Sequence, residues 1–264
     1  PLTEFQETVA RLLSGNRSED SHLAGGAALH LEPSSKRYSN DLDYFHDSVE
    51  RVATAFDVDR ALLDEHGYLV HIDLNQPGYI RASVTKGSQA TSIEWAHDSA
   101  WRFLPPIKND IVGYQLHPVD LAINKLLALA GRDEARDFLD ILMIDREVLP
   151  LGALCWAAVG KDPGFSPRSL LELLKRRGKY QAEDFKRLRL SEPVDLAELK
   201  AQWLDALARA ERFIAAQDPS EIGCLFYDRA QQRFIAPDSN SHDARSAVVP
   251  HFGRPGGVLP AIWS

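Results

Sequence analysis

Cysteine is scarce in this chain of 264 residues, which holds two, Cys155 and Cys224. Two cysteines so far apart build no disulfide framework, and a reducing compartment is the simpler expectation. A basic excess is also missing: 30 Lys and Arg face 38 Asp and Glu, a formal net charge of -8. Proteins that grip long stretches of nucleic acid usually carry a global positive charge, so any such contact here must be local. Long apolar runs are absent. The longest uncharged one, 149–160, is too short to span a bilayer and reads as a buried helix. The first twenty residues, with Glu4, Glu7, Arg11, Arg17, Glu19 and Asp20, contain no apolar core of a signal peptide. A soluble, cytoplasmic protein without membrane contact is expected. The nine histidines form no His-x-His or His-Glu-x-x-His pattern, and no Cys/His cluster is present, which argues against zinc. Neither a Gly-x-Ser-x-Gly elbow nor a Walker P-loop occurs.

What remains is an ordinary globular composition, 44% hydrophobic and 26% charged. Helical spacing covers 3–13, with Phe5, Val9, Leu12 and Leu13 on one side. A strand end at His22-Leu23-Ala24, a Gly25-Gly26 turn and a short apolar helix follow. A polar loop at 34–40 then leads to a strand at 41–45. After a helix at 48–66 come strand candidates at 68–74, 79–85, 90–96 and 111–116. This meander-like run predicts a mixed or antiparallel sheet. Pro118 suits the first turn of a helix, and Gly131 is placed to end it. Segments 134–144, 151–160, 167–178, 181–189 and 195–216 all read as helical. A hairpin is expected from 224–227 and 233–236, and an extended or loosely ordered stretch from 237 to 264. The predicted organisation is an α+β core over 1–117, a mostly α-helical domain over 118–217, and a hairpin with an extended tail over 218–264.

Asp41-Leu42-Asp43 is the candidate for chemistry, with a solvated strand edge or turn as the alternative for an isolated Asp-x-Asp. On a strand, residues i and i+2 share a face, so both carboxylates can share a cation while Leu42 turns into the core. Hard oxygen ligands suit magnesium or manganese. Upstream, Gly25 and Gly26 let backbone N–H groups approach phosphate oxygens. Arg37 offers a guanidinium and Ser39 a hydroxyl to the same oxygens. A plain strand-to-helix turn is the alternative for the glycines.

The runs Leu23-Ala24-Gly25-Gly26-Ala27-Ala28-Leu29 and Arg37-Tyr38-Ser39-Asn40-Asp41-Leu42-Asp43-Tyr44-Phe45 resemble the AbiEii/AbiGii-type nucleotidyltransferase toxins of the DNA polymerase β superfamily. Their pattern is a Gly-Gly-Thr turn, a short helix, then Arg-x-Ser-x-Asp-Leu-Asp-Phe. A second block is similar to the family's Lys-x-x-Ala-Leu helix followed by Arg-Asp-x-x-Asp. Here it comprises the helix from Pro118 with Lys125, then Arg136, Asp137 and Asp140. Together the blocks span about residues 20–145, and Ala27 stands where the family usually carries a hydroxyl residue. The resemblance implies a polymerase β-like core with a mixed sheet and a metal-dependent transfer of NMP from an NTP to a hydroxyl. It implies Asp41 and Asp43 as metal ligands, with a third carboxylate from a neighbouring strand: Glu94, or Asp73 in its place. Gly25, Gly26, Arg37, Ser39 and Lys125 would hold the nucleotide, and Asp137 would orient Lys125 or the attacking hydroxyl. Without the first block, Lys125 reads more readily as a stem covering apolar surface with its head in water. Asp137 and Asp140 then read as part of an exposed Arg–Asp network.

Characterised members of the family include toxins that modify the tRNA 3′ end, which puts tRNA first as acceptor and implies a cognate antitoxin. One stretch agrees: Lys175, Arg176, Arg177, Lys179, Lys186, Arg187 and Arg189, with Tyr180 and Phe185 between them, could track a nucleic-acid backbone. A solvated helical face is the alternative. A protein hydroxyl as acceptor stays open, as does a non-catalytic module that binds an NTP or a partner protein.

Overall fold

The computed structural model describes residues 1–32, 34, 35, 37–237 and 247–261. The chain divides into two units. One comprises Pro1–His117 with Arg189–Glu192 and Pro255–Gly257; the other comprises the described residues of Pro118–Leu188, Pro193–Arg254 and the stretch from Val258.

The first unit is α+β. Helix α1 (Glu4–Leu13) starts with Thr3, whose hydroxyl accepts from the Gln6 N–H while the Gln6 side chain accepts from the Thr3 N–H. It leads to strand β1 (Ser21–Ala24), the five-residue helix α2 (Gly25–Leu29) and strand β2 (Asp41–His46). Helix α3 (Val49–Glu65) follows, capped by Ser48. Strands β3 (Leu69–Gln76), β4 (Tyr79–Lys86) and β5 (Gln89–His97) form the predicted meander. The short strands β6 (Trp101–Arg102), β7 (Ile107–Asn109) and β8 (Gly113–Gln115) close the unit. Among the described residues the main sheet has seven strands in the order β3-β4-β5-β2-β1-β8-β7. It is mixed: β2 pairs with β5 and β1 with β8 in parallel, and the other neighbours are antiparallel.

Strand β2 alternates along its length. Leu42, Tyr44 and His46 are buried; Asp41, Asp43 and Phe45 are half-exposed. On the buried face Arg17 and Asp59 form an ion pair at 2.6 Å with both side chains fully enclosed. Asp59 also accepts from Trp95 Nε1 at 2.8 Å and from Asn16 Nδ2 at 2.8 Å, while the Arg17 guanidinium lies over the Tyr44 ring. Arg17 is thus a core residue, although in the sequence it stands in a charged stretch.

The second unit holds helices α4 (Pro118–Arg132), α5 (Ala135–Glu147), α6 (Leu151–Lys161), α7 (Pro167–Leu174), α8 (Ala182–Lys186) and α9 (Leu196–Ala216). It also holds a small antiparallel sheet of β9 (Leu225–Asp228), β10 (Arg233–Ile235) and β11 (Val248–His251), ordered β10-β9-β11. No helix among the described residues is long and apolar enough to cross a membrane.

Four sequence expectations are corrected. Gly131 does not end α4; the helix runs through it to Arg132. Asp133, at φ 50°, makes the stop and bonds its N–H to the Leu129 carbonyl at 3.3 Å. Asp tolerates this left-handed conformation better than most side chains, so the glycine was not needed. The predicted helix 167–178 ends at Leu174, because Gly178 sits at φ 81° and a Cβ there would lie 2.8 Å from the Trp203 ring. The helix predicted for 181–189 is reduced to α8. Within the stretch 237–264, Val248–His251 is extended but not loose: it forms β11, paired with β9. Residues 238–246 and 262–264 of that stretch lie outside the described residues.

Candidate metal centre

The site is built where β2 and β5 run side by side. Their register sets Asp41 beside Ser92 and Asp43 beside Glu94. Because the pleat puts i and i+2 on one face, Asp41, Asp43 and Glu94 share the half-exposed side, opposite the Arg17–Asp59 core. Each offers a carboxylate oxygen, and the three oxygens lie within 4.8 Å of one another. Asp73 does not join them. It lies at the β-bulge on β3, where it accepts from Ser83 Oγ at 2.8 Å. Strand β3 is three strands away from β2, roughly 14 Å at ordinary strand spacing.

The chain tightens around these carboxylates. Gly25 has φ 60°, and a Cβ there would lie 1.8 Å from Asp43 Oδ2. The glycine is required twice over, by its backbone angle and by the carboxylate pressed against it. At Gly26 a Cβ would meet an Arg37 guanidinium nitrogen and Ser39 Oγ, each at 3.1 Å. Arg37 and Ser39, both buried, therefore flank the Gly-Gly corner. Ser39 Oγ donates to Asp41 Oδ1 at 3.1 Å, and the Ser39 carbonyl accepts from Gln6 Nε2 at 3.3 Å. Helix α2 has only five residues, so close backbone approach rather than a helix dipole is what this corner offers. Ala27, the departure from the family pattern, is buried.

One neighbour of the centre was not read from the sequence. The Tyr79 phenol is pushed up to about 12 by burial first, then by a hydrogen bond to Glu94 and its negative charge. Tyr79 lies two residues before Arg81, the register partner of Glu94. Only the pairing of β4 with β5, which no local pattern encodes, brings Tyr79 there.

Lys125, Asp137 and Asp140 meet within the second unit. The buried Lys125 Nζ lies 3.1 Å from Asp137 Oδ1 and 3.0 Å from Asp140 Oδ2. Arg132 approaches Asp137 from outside, with Nε 2.6 Å from Oδ2 and a second nitrogen 2.9 Å from Oδ1. Burial raises the Asp137 carboxyl, but the Arg132 hydrogen bonds and the Lys125 charge outweigh it and hold Asp137 below the usual range. The lysine is therefore neither a snorkelling side chain nor part of an exposed network; its charge is matched inside the fold.

The basic stretch 175–190 is thinner than its composition. Lys175 pairs with Glu172 and Glu211, Arg177 with Asp133, and Lys186 with Glu183. Arg176, Lys179 and Arg187 are exposed and in no ion pair among the described residues. The interleaved aromatics are not free to stack on bases. Phe185 is buried, and Tyr180 packs against Phe138 and Phe185 with its hydroxyl 2.6 Å from Asp133.

No family model matches the chain, and no curated protein does. The AbiEii/AbiGii resemblance thus stands on the quoted residues alone. Among solved structures, JHP933 from Helicobacter pylori aligns with a TM-score of 0.47 at 20% identity, over 83% of this chain and 97% of that one. MenT4, a nucleotidyltransferase toxin from Mycobacterium tuberculosis, aligns with a TM-score of 0.55 at 17% identity. That alignment covers 92% of this chain and 89% of MenT4, so it takes in both units. At this level the likeness is one of architecture: the chain shares the α+β fold of a nucleotidyltransferase.

Proposed function

We propose that this protein is a metal-dependent nucleotidyltransferase that moves NMP from an NTP to an acceptor hydroxyl. The observation that carries the proposal is the convergence of Asp41, Asp43 and Glu94 oxygens within 4.8 Å on adjacent parallel strands, beside the Gly25-Gly26 corner. Three carboxylates this close repel one another unless a cation sits among them. An all-oxygen donor set favours magnesium or manganese over softer metals. Asp41, Asp43 and Glu94 would hold the ion. When bound, it would neutralise phosphate charge and lower the pKa of the attacking hydroxyl.

The chain's own groups supply the rest. Arg37 is a planar cation able to pair with phosphate oxygens bidentately. The Gly25 and Gly26 backbone presents no side chain that would keep a triphosphate away. Ser39, donating to Asp41, fixes that carboxylate's orientation. In the second unit Asp137 and Asp140 hold the Lys125 ammonium in place; it is the resemblance to the family that gives this cation the β- and γ-phosphates as partners. Catalysis of this kind rests on positioning and charge stabilisation.

The same reading makes the protein the toxin of a toxin–antitoxin or phage-defence pair, with an antitoxin as its protein partner and the tRNA 3′ end as its acceptor. The quoted family motifs and the architecture shared with the MenT4 toxin support it. On this chain, Arg176, Lys179 and Arg187 are the exposed cations available to an acceptor backbone. The test is incubation with total tRNA, magnesium and each α-labelled NTP, with Asp41→Ala in parallel. Label entering RNA only with the intact carboxylate supports the whole proposal and names the nucleotide. Label on protein keeps the chemistry and moves the acceptor. NTP binding with no transfer to any acceptor refutes the catalytic reading.

A further inference from the structure

The loop that carries Arg37 and Ser39 is held from its far side by a segment about 150 residues downstream. Residues Arg189–Glu192 lie between α8 and α9 in sequence but belong to the first unit. Leu190 forms an antiparallel bridge with Arg37. The Tyr38 N–H donates to the Arg189 carbonyl at 3.0 Å, and the Arg189 guanidinium stands over the Tyr38 ring, 5.4 Å from its centroid.

The orientation of these groups follows from the pleat. Arg37 and Ser39 both flank Gly26, so they point towards the Gly-Gly corner. Tyr38, between them on an extended run, points the other way and meets Arg189. One face of the loop thus serves the corner, and the opposite face is clasped. Gln6 ties the Ser39 carbonyl and the Arg37 guanidinium reaches the Tyr38 carbonyl at 3.5 Å, while the Tyr38 N–H is held by the downstream segment.

We infer that Arg189, stacked on Tyr38, is a positioning residue for the nucleotide site: it acts through Tyr38 to hold Arg37 and Ser39 where triphosphate oxygens would meet them. This rests on the nucleotidyltransferase reading above. Arg189 itself touches no substrate in this scheme, and its exposed side chain makes substitution compatible with folding.

The experiment compares the full chain with Arg189→Ala, Tyr38→Ala, the double variant and Tyr38→Phe. Arg212→Ala, also exposed, serves as the control for loss of one positive charge. Backbone hydrogen exchange over 37–40 and NTP–magnesium affinity are both measured. Loss of an exposed cation–π contact corresponds to roughly a two- to fivefold effect. Arg189→Ala and Tyr38→Ala should each speed exchange over 37–40 and weaken NTP binding by that factor. The double variant should be no worse than either single one, because both remove the same contact, and Tyr38→Phe should behave as the parent. Unchanged exchange in Arg189→Ala overturns the stacked guanidinium as a restraint on the loop, since the backbone bonds to 189 and 190 remain in that variant. Faster exchange with unchanged NTP affinity overturns its positioning role, as does an equal loss of affinity in Arg212→Ala. A parent protein that binds no NTP defeats the proposed function instead, while the exchange data still decide whether the clasp exists.

Discussion

Substituting Gly25 by alanine would strike the proposed metal centre through a single methyl group. The added Cβ would lie 1.8 Å from Asp43 Oδ2, where real contacts stay at 3.0 Å or beyond. The carboxylate must therefore retreat by more than an ångström. Magnesium holds its oxygen ligands at about 2.0–2.1 Å with little tolerance, so under the proposed chemistry such a retreat would take Asp43 out of reach of the ion. A misplacement of about 1 Å can cost on the order of 100-fold in rate, equivalent to about 2.7 kcal/mol of transition-state stabilisation. The positive φ adds about 1–2 kcal/mol of backbone strain. For a chain of this size that lowers Tm by roughly 2–8 °C. Thermal unfolding with and without magnesium reads both effects. At a magnesium concentration of about 100 Kd, the parent should gain about 2.7 kcal/mol, and Gly25→Ala should gain nothing. Gly26→Ala is the companion: its Cβ meets only the movable ends of Arg37 and Ser39, at 3.1 Å. It should keep the magnesium response and change mainly KM for the NTP. A Gly25→Ala protein that keeps both its magnesium-induced Tm shift and its transfer activity would refute the proposed placement of the metal.

Glu94→Gln should abolish the magnesium response, whereas Asp73→Asn, at its bulge on β3, should leave it intact; metal titration followed by thermal shift separates the two. Lys125→Ala removes the buried cation shared by Asp137 and Asp140, with Arg132 still on Asp137, at a cost of about 3–5 kcal/mol, so its loss of activity must be read beside its urea midpoint. Asp59→Ala leaves the enclosed Arg17 without its partner and should cost a similar amount, about 3–5 kcal/mol, seen as a fall in Tm. Acid should destabilise the protein well before its carboxylates titrate. Burial lowers His22 to about 4 and His46 to about 3, and the His46 ring nitrogens have no hydrogen-bond partner among the described residues. Both folded values lie below the unfolded one near 6.5, so the unfolded chain binds more protons. The stability these groups contribute is full above about pH 6.5 and falls by up to about 1.4 kcal/mol per pH unit for each histidine as pH drops towards 4. Denaturant melts between pH 7 and 4 check this, and His46→Gln should flatten the slope.

The α+β class, the meander and most helices were legible because hydrophobic period and capping residues act locally. The Gly-Gly corner and Asp41-Leu42-Asp43 were legible for the same reason: their spacing alone puts the carboxylates on one face. What escaped depends on distant partners. Local sequence left Glu94 and Asp73 open, and the pairing of β2 with β5 brings Glu94 to the centre. Tyr79 and the Arg189 clasp arise from strand pairings that no window of sequence contains. Aromatics amid basic residues look alike whether they face a base or a core, and packing turned Tyr180 and Phe185 inward. Gly131 misled because glycine is the commoner helix stop, and Asp133 took that place.

The alternation along β2 also makes the centre a proofreader of folding. A slip of one residue between β2 and β5 would carry Leu42 and Tyr44 out to the half-exposed face and drive Asp41 and Asp43 into the Arg17–Asp59 layer. A misregistered chain would lose its cation ligands and bury unmatched charge in the same step. Under the proposed chemistry, no molecule with that sheet error could be both stable and active.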